Sequence, residues 1–306
     1  MKTKRGLIIL MTFLVVVMLV GCSKQQAIPI SGPNAQALPA VEDTSEFVHS
    51  LPNIRDAVVS TYSSVDIYLT DVLANLGGSR FMNDPSAVLA SKIREKSIAF
   101  GETLSSIDLI VSDFNSNKEG INTGRLSSAD SDLFQTIDGK LARYTANKAK
   151  FIDCSNKLNQ YYTFADLTVQ RESAIKAFTS KLEDSGRLIE SNKFDEAISS
   201  GQKARGDLLT IKNIDVQRNA MGIVALGSDT IASWDVHLEA MDLLISLWGD
   251  LKANNMDAAM NKAQNHANTF DRANKLGANE PSSSAQATMV DNWLKQNVEV
   301  CKGVLS

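Results

Sequence analysis

The side chains able to do chemistry are few: three cysteines and three histidines in 306 residues. His49, His237 and His266 lie far apart, and His237-Leu238-Glu239 lacks the second histidine of a zinc helix, so no metal is expected. Trp234, Met241 and Trp248 recur at steps of seven, on one helix face with Leu238 and Ile245. Such a stripe fits a ligand groove, because aromatic and Met side chains line apolar pockets, and it equally fits a plain core face. Cys154 and Cys301 belong to no Cys-x-x-Cys motif, so redox catalysis is not expected. A disulfide tying the chain's end to its middle and two separate buried thiols both remain open for this pair. Serine nucleophile elbows, glycine-rich phosphate loops and paired catalytic carboxylates do not occur. Glu172, Glu183 and Asp184 fall on helix faces expected to be solvated. The reading is of a non-enzyme with no cofactor.

The remaining cysteine has a different context. Lys2, Lys4 and Arg5 make a positive start, and Leu7 to Val20 form an apolar run broken only by Thr12. A membrane span needs about 20 residues, so this run is short for one and fits a signal-peptide core. It ends in Leu19-Val20-Gly21-Cys22, which resembles the lipobox of prokaryotic lipoproteins. That resemblance covers residues 1–22 alone and implies cleavage after Gly21, with diacylglyceryl and palmitate-type chains carried on Cys22. A thiol is the nucleophile that can take such a group, and each buried lipid CH₂ contributes about 0.8 kcal/mol of anchoring. The uncharged Ser23 is compatible with outer-membrane sorting in an organism that has one. The expected location is therefore extracytoplasmic and lipid-anchored.

Charge agrees with attachment through the lipid. The whole chain carries 31 Lys and Arg against 35 Asp and Glu. Removing residues 1–21 takes away Lys2, Lys4 and Arg5 and no acid, leaving 28 bases, 35 acids and a balance of −7. Such a surface is repelled by anionic lipid and has no basic excess for phosphate backbones, so nucleic acid is not an expected partner. The membrane, through the anchor, and an envelope protein are.

The elements follow from apolar spacing. Residues 23–44 hold Pro29, Pro33 and Pro39 among Ser, Gln, Ala and Asn, which reads with Cys22 as a flexible tether reaching about 25 Å. From Pro52, the steps of three and four through Ile54, Val58, Tyr62, Val65, Leu69, Val72 and Leu76 predict a helix, stopped by positive φ at Gly77-Gly78. Asp84-Pro85 is expected to start a second helix carrying Leu89, Ile93, Phe100, Leu104, Ile107, Val111 and Phe114. Residues 115–127 are expected to form a loop, and Ser127 with Asp130 to cap a third helix. Ile137, Leu141, Tyr144, Phe151 and Leu158, then Leu167, Arg171, Ile175, Phe178, Leu182 and Ile189, extend the spacing across 128–190. One very long helix or two with a kink near 160 both fit, and two of about 30 residues, each roughly 45 Å long, better match the first pair.

Ser191 to Ile198 aligns with Ala253 to Met260 at an offset of 62. In each copy Asn is expected to close a helix, Phe194 or Met256 to dock into the hairpin, and Asp to begin the next helix. The turn resembles that of tetratricopeptide hairpins, although those recur every 34 residues or so. Ala220 to Gly227, within Ile214 to Leu251, is expected to be the heart of a central helix, with Gly222 and Gly227 allowing close approach of a neighbour. A last helix is expected at 283–304, with Ser282 to Ser284 as cap candidates. The sum is an all-α bundle of six to eight long antiparallel helices over 45–306, with a sub-boundary near 190. The function expected of it is non-catalytic binding, scaffolding or assembly in the cell envelope. A helical ligand sensor or carrier with a pocket near Trp234 and Trp248, and an envelope hydrolase without local signature, are the alternatives.

Overall fold

The computed structural model describes residues 44–304. The leader, Cys22 and the tether lie outside the described residues. Eight α-helices and no strand occur among the described residues, an all-α helical bundle. The helices are α1 (Thr44–Asn75), α2 (Gly78–Asn83), α3 (Ala87–Lys118), α4 (Ser128–Glu190), α5 (Phe194–Ala220), α6 (Ser228–Lys252), α7 (Met256–Gly277) and α8 (Ser283–Asn297). Single 3-10 turns at Thr123–Arg125 and Glu299–Val304 complete the order. No helix among the described residues is long and apolar enough to cross a membrane.

Two compact units divide these elements. One contains residues 44–81, 87–163 and 290–304, the other 82–86 and 164–289. The division along the long helix falls after Thr163. It lies inside α4, which runs unbroken for 63 residues. Nothing between 128 and 190 offers the proline that would force a second helix, so the kink near 160 does not form.

In the first unit the apolar stripes become a core. Ile54, Val58, Val65, Leu69 and Val72 of α1 and Leu76 just beyond it are buried, as are Ile93, Phe100, Leu104, Ile107 and Phe114 of α3. Facing them, α4 contributes Ile137, Leu141, Tyr144, Phe151 and Leu158. Helices α3 and α4 run antiparallel: Lys118 pairs with Asp138 at 3.0 Å, Lys148 with Asp108 at 2.8 Å, and Ser97 donates to Asn159. Helix α4 starts as its residues require, because Ser127 Oγ accepts from the Asp130 amide at 3.2 Å and donates to its carboxylate. The carbonyl of Leu76, just past the end of α1, is satisfied inside the core by the Tyr161 hydroxyl.

Several boundaries differ from the expected ones, each for a local reason. Helix α1 starts at Thr44 and accommodates Pro52 within its early turns. The expected positive φ at Gly77-Gly78 is absent. Gly77 instead passes so close to the chain that a Cβ would meet the Leu73 carbonyl oxygen at 2.7 Å, and Gly78 opens α2. Helix α3 begins at Ala87, two residues beyond Pro85, and runs on to Lys118 into the expected loop. The last helix ends at Asn297 and tightens into a 3-10 turn, while Ser282 accepts from the Ala285 amide as its cap.

In the second unit, α4 to α7 pack as successive antiparallel hairpins. Arg205 with Asp242 and Lys212 with Asp235 mark the α5–α6 pairing, and Lys262 with Asp250 and Arg272 with Glu239 mark the next. The two turns 62 residues apart share one geometry. Asn192 and Asn254 take φ of 57° and 54°. Lys193 and Asn255 then donate back to Leu188 and Asp250, the six-to-one bond that closes a helix in a Schellman motif. Phe194 is half-buried, but Met256 is exposed and does not dock.

The expected central helix over Ala220–Gly227 is instead the end of α5 followed by a loop. Gly222, at φ +67°, turns the chain after α5, and Ile223, Val224 and Leu226 are buried within the connection. The Asn219 side chain accepts from the Leu226 amide and supports the loop. The close approach belongs to Gly201, where a Cβ would overlap the Trp248 ring and meet Ile245 at 3.2 Å. Gly201→Ala should therefore destabilise this unit by about 1–3 kcal/mol in urea titration, against the usual gain of Ala over Gly inside a helix. An unchanged or raised urea midpoint would show that Trp248 can move aside.

Candidate functional site

The most distinctive surface feature lies in the first unit. On α4, Lys140, Arg143, Asn147, Lys150 and Cys154 follow steps of three and four and so share one helix face. That face forms the wall of an open cleft of about 940 Å³, closed by Tyr62 of α1 and by Val300, Cys301 and Gly303 of the terminal 3-10 turn. The floor is pinned by a disulfide between Cys154 and Cys301, whose Cα atoms are 6.1 Å apart. Both cysteines are buried, so the bridge fixes the tail against α4.

The cleft is cationic. Lys140, Arg143 and Lys150 line it against a single acid, Asp153. The Lys140 ammonium sits 5.9 Å from the Tyr62 ring centre, a cation–π contact, while the Tyr62 hydroxyl donates to the Lys140 carbonyl at 3.1 Å. Burial pushes the Tyr62 hydroxyl above its ordinary pKa, and the Arg143 guanidinium pulls it part of the way back. Neither Lys140 nor Lys150 has a carboxylate at ion-pair distance among the described residues, whereas Lys148, on another face of the same helix, pairs with Asp108. A local positive excess thus stands out on a chain whose formal charge is −4.

The aromatic stripe lies in the second unit, in and against its apolar core. Met241 and Trp248 are buried in one apolar cluster with Phe178, Leu182, Leu208 and Leu238, and Trp234 and Ile245 pack against it. Trp234 also stacks under the Arg171 guanidinium, 5.9 Å from its carbon, with the indole N–H buried and unpaired. His237 makes a 2.9 Å contact with the Ser233 carbonyl between Trp234 and Phe270, and His266 stacks on Phe270. Burial holds both imidazoles below their ordinary pKa. His49 is exposed, and no group of metal-ligating side chains gathers among the described residues.

The same unit contains an ion network that apolar spacing does not reveal. Asp215, fully buried, accepts from Arg171 at 2.8 Å and from Arg218 at 2.9 Å. Arg171 reaches Glu280, and Arg218 reaches Gln286, each at 3.1 Å. Arg218 is 1% exposed and lies over Phe164. Burial opposes the charge of both arginines. At Arg171 the carboxylates of Asp215 and Glu280 outweigh it and raise the pKa, while at Arg218 burial and the neighbouring Arg171 leave it lowered. Arginine keeps its charge in proteins, so both guanidinium groups are cations. Arg171 stands in the same row of spacing as Leu167 and Ile175, and Asp215 three residues before Arg218 is the only local trace of the pair.

Comparison with family models, with curated proteins and with solved structures gave no match. The functional reading therefore rests on the chain's own residues.

Proposed function

We propose that this chain is an extracytoplasmic lipoprotein with a non-catalytic binding, scaffolding or assembly role in the cell envelope. The observation that carries the reading is the order of the leader: three positive residues, a 14-residue run from Leu7 to Val20, then Gly21-Cys22. Acyl chains on Cys22 hold the helical domain at the outer side of a bilayer, in the outer membrane where one exists, and an envelope protein is its expected partner. The Cys154–Cys301 disulfide supports the same compartment, because such bonds persist outside the reducing cytosol.

Cys22→Ser should abolish incorporation of labelled palmitate and release the protein from sedimented membranes into the soluble fraction. The wild-type chain should carry label and sediment. Labelling that persists in the variant would sink the anchor assignment.

A ligand-holding role has its own observation in the 940 Å³ cleft, which is at the upper end of small-molecule site volumes. The sensor-or-carrier alternative therefore attaches to the disulfide-floored cleft rather than to Trp234, Met241 and Trp248.

A further inference from the structure

We infer that the cleft along α4 binds a linear phosphate-bearing polymer, with Lys140, Arg143 and Lys150 as its ligand-holding cations. This deepens the binding reading above and is independent of the lipid anchor.

Three observations lead there. The cations lie on one face, at positions 140, 143 and 150, so a row of positive charge extends for about 15 Å along the helix. A single small anion would leave one end of that row empty, whereas a chain of repeated anionic groups can occupy all of it. Second, the two lysines are not neutralised by carboxylates of the described residues, so a ligand need not break an existing ion pair to reach them. Third, the row borders an open cleft rather than a convex surface, which focuses the field and lets the polymer lie lengthwise.

The ligand's chemistry follows from the donor set. The planar fork of arginine matches carboxylate and phosphate alike, and two of the three cations here are lysines. Lysine ammonium groups act as point charges with three rotatable donors, which suits the several equivalent oxygens of a phosphate. The Asn147 amide and the Tyr62 ring supply neutral polar and apolar walls between the charges. Asp153 marks the end where an anion is repelled, and so sets the limit of the track.

The experiment is calorimetric titration of the full chain, in detergent at low salt, with linear inorganic polyphosphate and in parallel with poly-L-glutamate. Saturable binding of polyphosphate is expected, with poly-L-glutamate at least tenfold weaker. Lys150→Glu should lower polyphosphate affinity about tenfold or more, since it removes a charge-assisted contact and adds a repulsive one. Lys140→Gln should lower it by a smaller factor. Lys203→Glu, an exposed lysine on α5 outside the cleft, should leave the affinity unchanged. Helical circular dichroism equal to wild type verifies that each variant is folded. Absence of saturable binding, equal binding of poly-L-glutamate, or a Lys150→Glu affinity no lower than that of Lys203→Glu would each overturn the assignment. Failure here with Cys22 still acylated would remove the polymer alone, while binding by a chain that is never acylated would remove the lipoprotein reading alone.

Discussion

Asp215→Ala is expected to cost about 3–5 kcal/mol, the largest loss from any single substitution in the second unit. The carboxylate is fully buried and is the shared acceptor of two guanidinium groups. Removing it leaves Arg218 buried beside Arg171 with no carboxylate of its own, and the two like charges then face each other. Arg171 keeps Glu280, which is about a third exposed at its side chain and correspondingly screened. Arg218 keeps the neutral Gln286 oxygen and the longer-range pull of Glu280. The cost is thus chiefly that of an uncompensated buried charge, which suggests a second variant. Asp215→Ala combined with Arg218→Met removes acid and base together and should recover much of the loss, because an apolar side chain of similar length replaces the orphaned ion. Urea unfolding followed by circular dichroism measures both. A loss below about 1 kcal/mol in the single variant would mean that water reaches the network and solvates the arginines.

Reducing the Cys154–Cys301 bond, or replacing Cys301 by Ser, should destabilise the first unit by about 2–5 kcal/mol. The bridge spans 147 residues. For a loop that long the chain-entropy model gives about 5 kcal/mol, and measured values generally fall below the model. The expected result is a lower thermal midpoint in reducing buffer for the wild type and no further effect of reductant on Cys301→Ser. Thiol counting on the denatured acylated chain should find none before reduction and two after it. Two thiols before reduction would show that the cysteines are separate, and the tail would then lose its covalent hold on the cleft.

Much of this architecture is written in local residue order. The α1 stripe from Ile54 to Leu76 is legible because a helix must turn the same side inward every three or four residues, and its apolar members are buried. Ser127 with Asp130 is legible because a cap needs only neighbours in sequence. The twin turns at Asn192 and Asn254 are legible for the same reason, since a left-handed residue and its backbone bonds close within one turn. The α4 cation row was also present in the spacing of Lys140, Arg143 and Lys150, although a stripe of charge looks the same whether it borders a cleft or open solvent.

The two glycine sites mark where local reading ends. Gly77 was expected to supply a positive φ and instead provides room, while Gly222 was expected to provide room and instead supplies the positive φ. A glycine in sequence states that a side chain is missing. Whether backbone conformation or a neighbour requires that absence depends on what packs nearby. Ala220 to Gly227 shows the same limit, because eight mostly apolar residues suit a buried helix and a buried loop equally, and the turn at Gly222 decided between them.

Residue order by itself determined the all-α class, most helix faces, the Ser127 cap and the paired turns, since each depends on contacts within a few residues. It also supplies the leader on which the proposed anchor rests. Tertiary structure alone decided that Cys154 meets Cys301, that Trp248 fills the space left by Gly201, and that Asp215 joins two arginines. It also turned a row of cations into the wall of a cleft. These depend on groups tens of residues apart, and their energies come from burial and proximity, which no local spacing encodes.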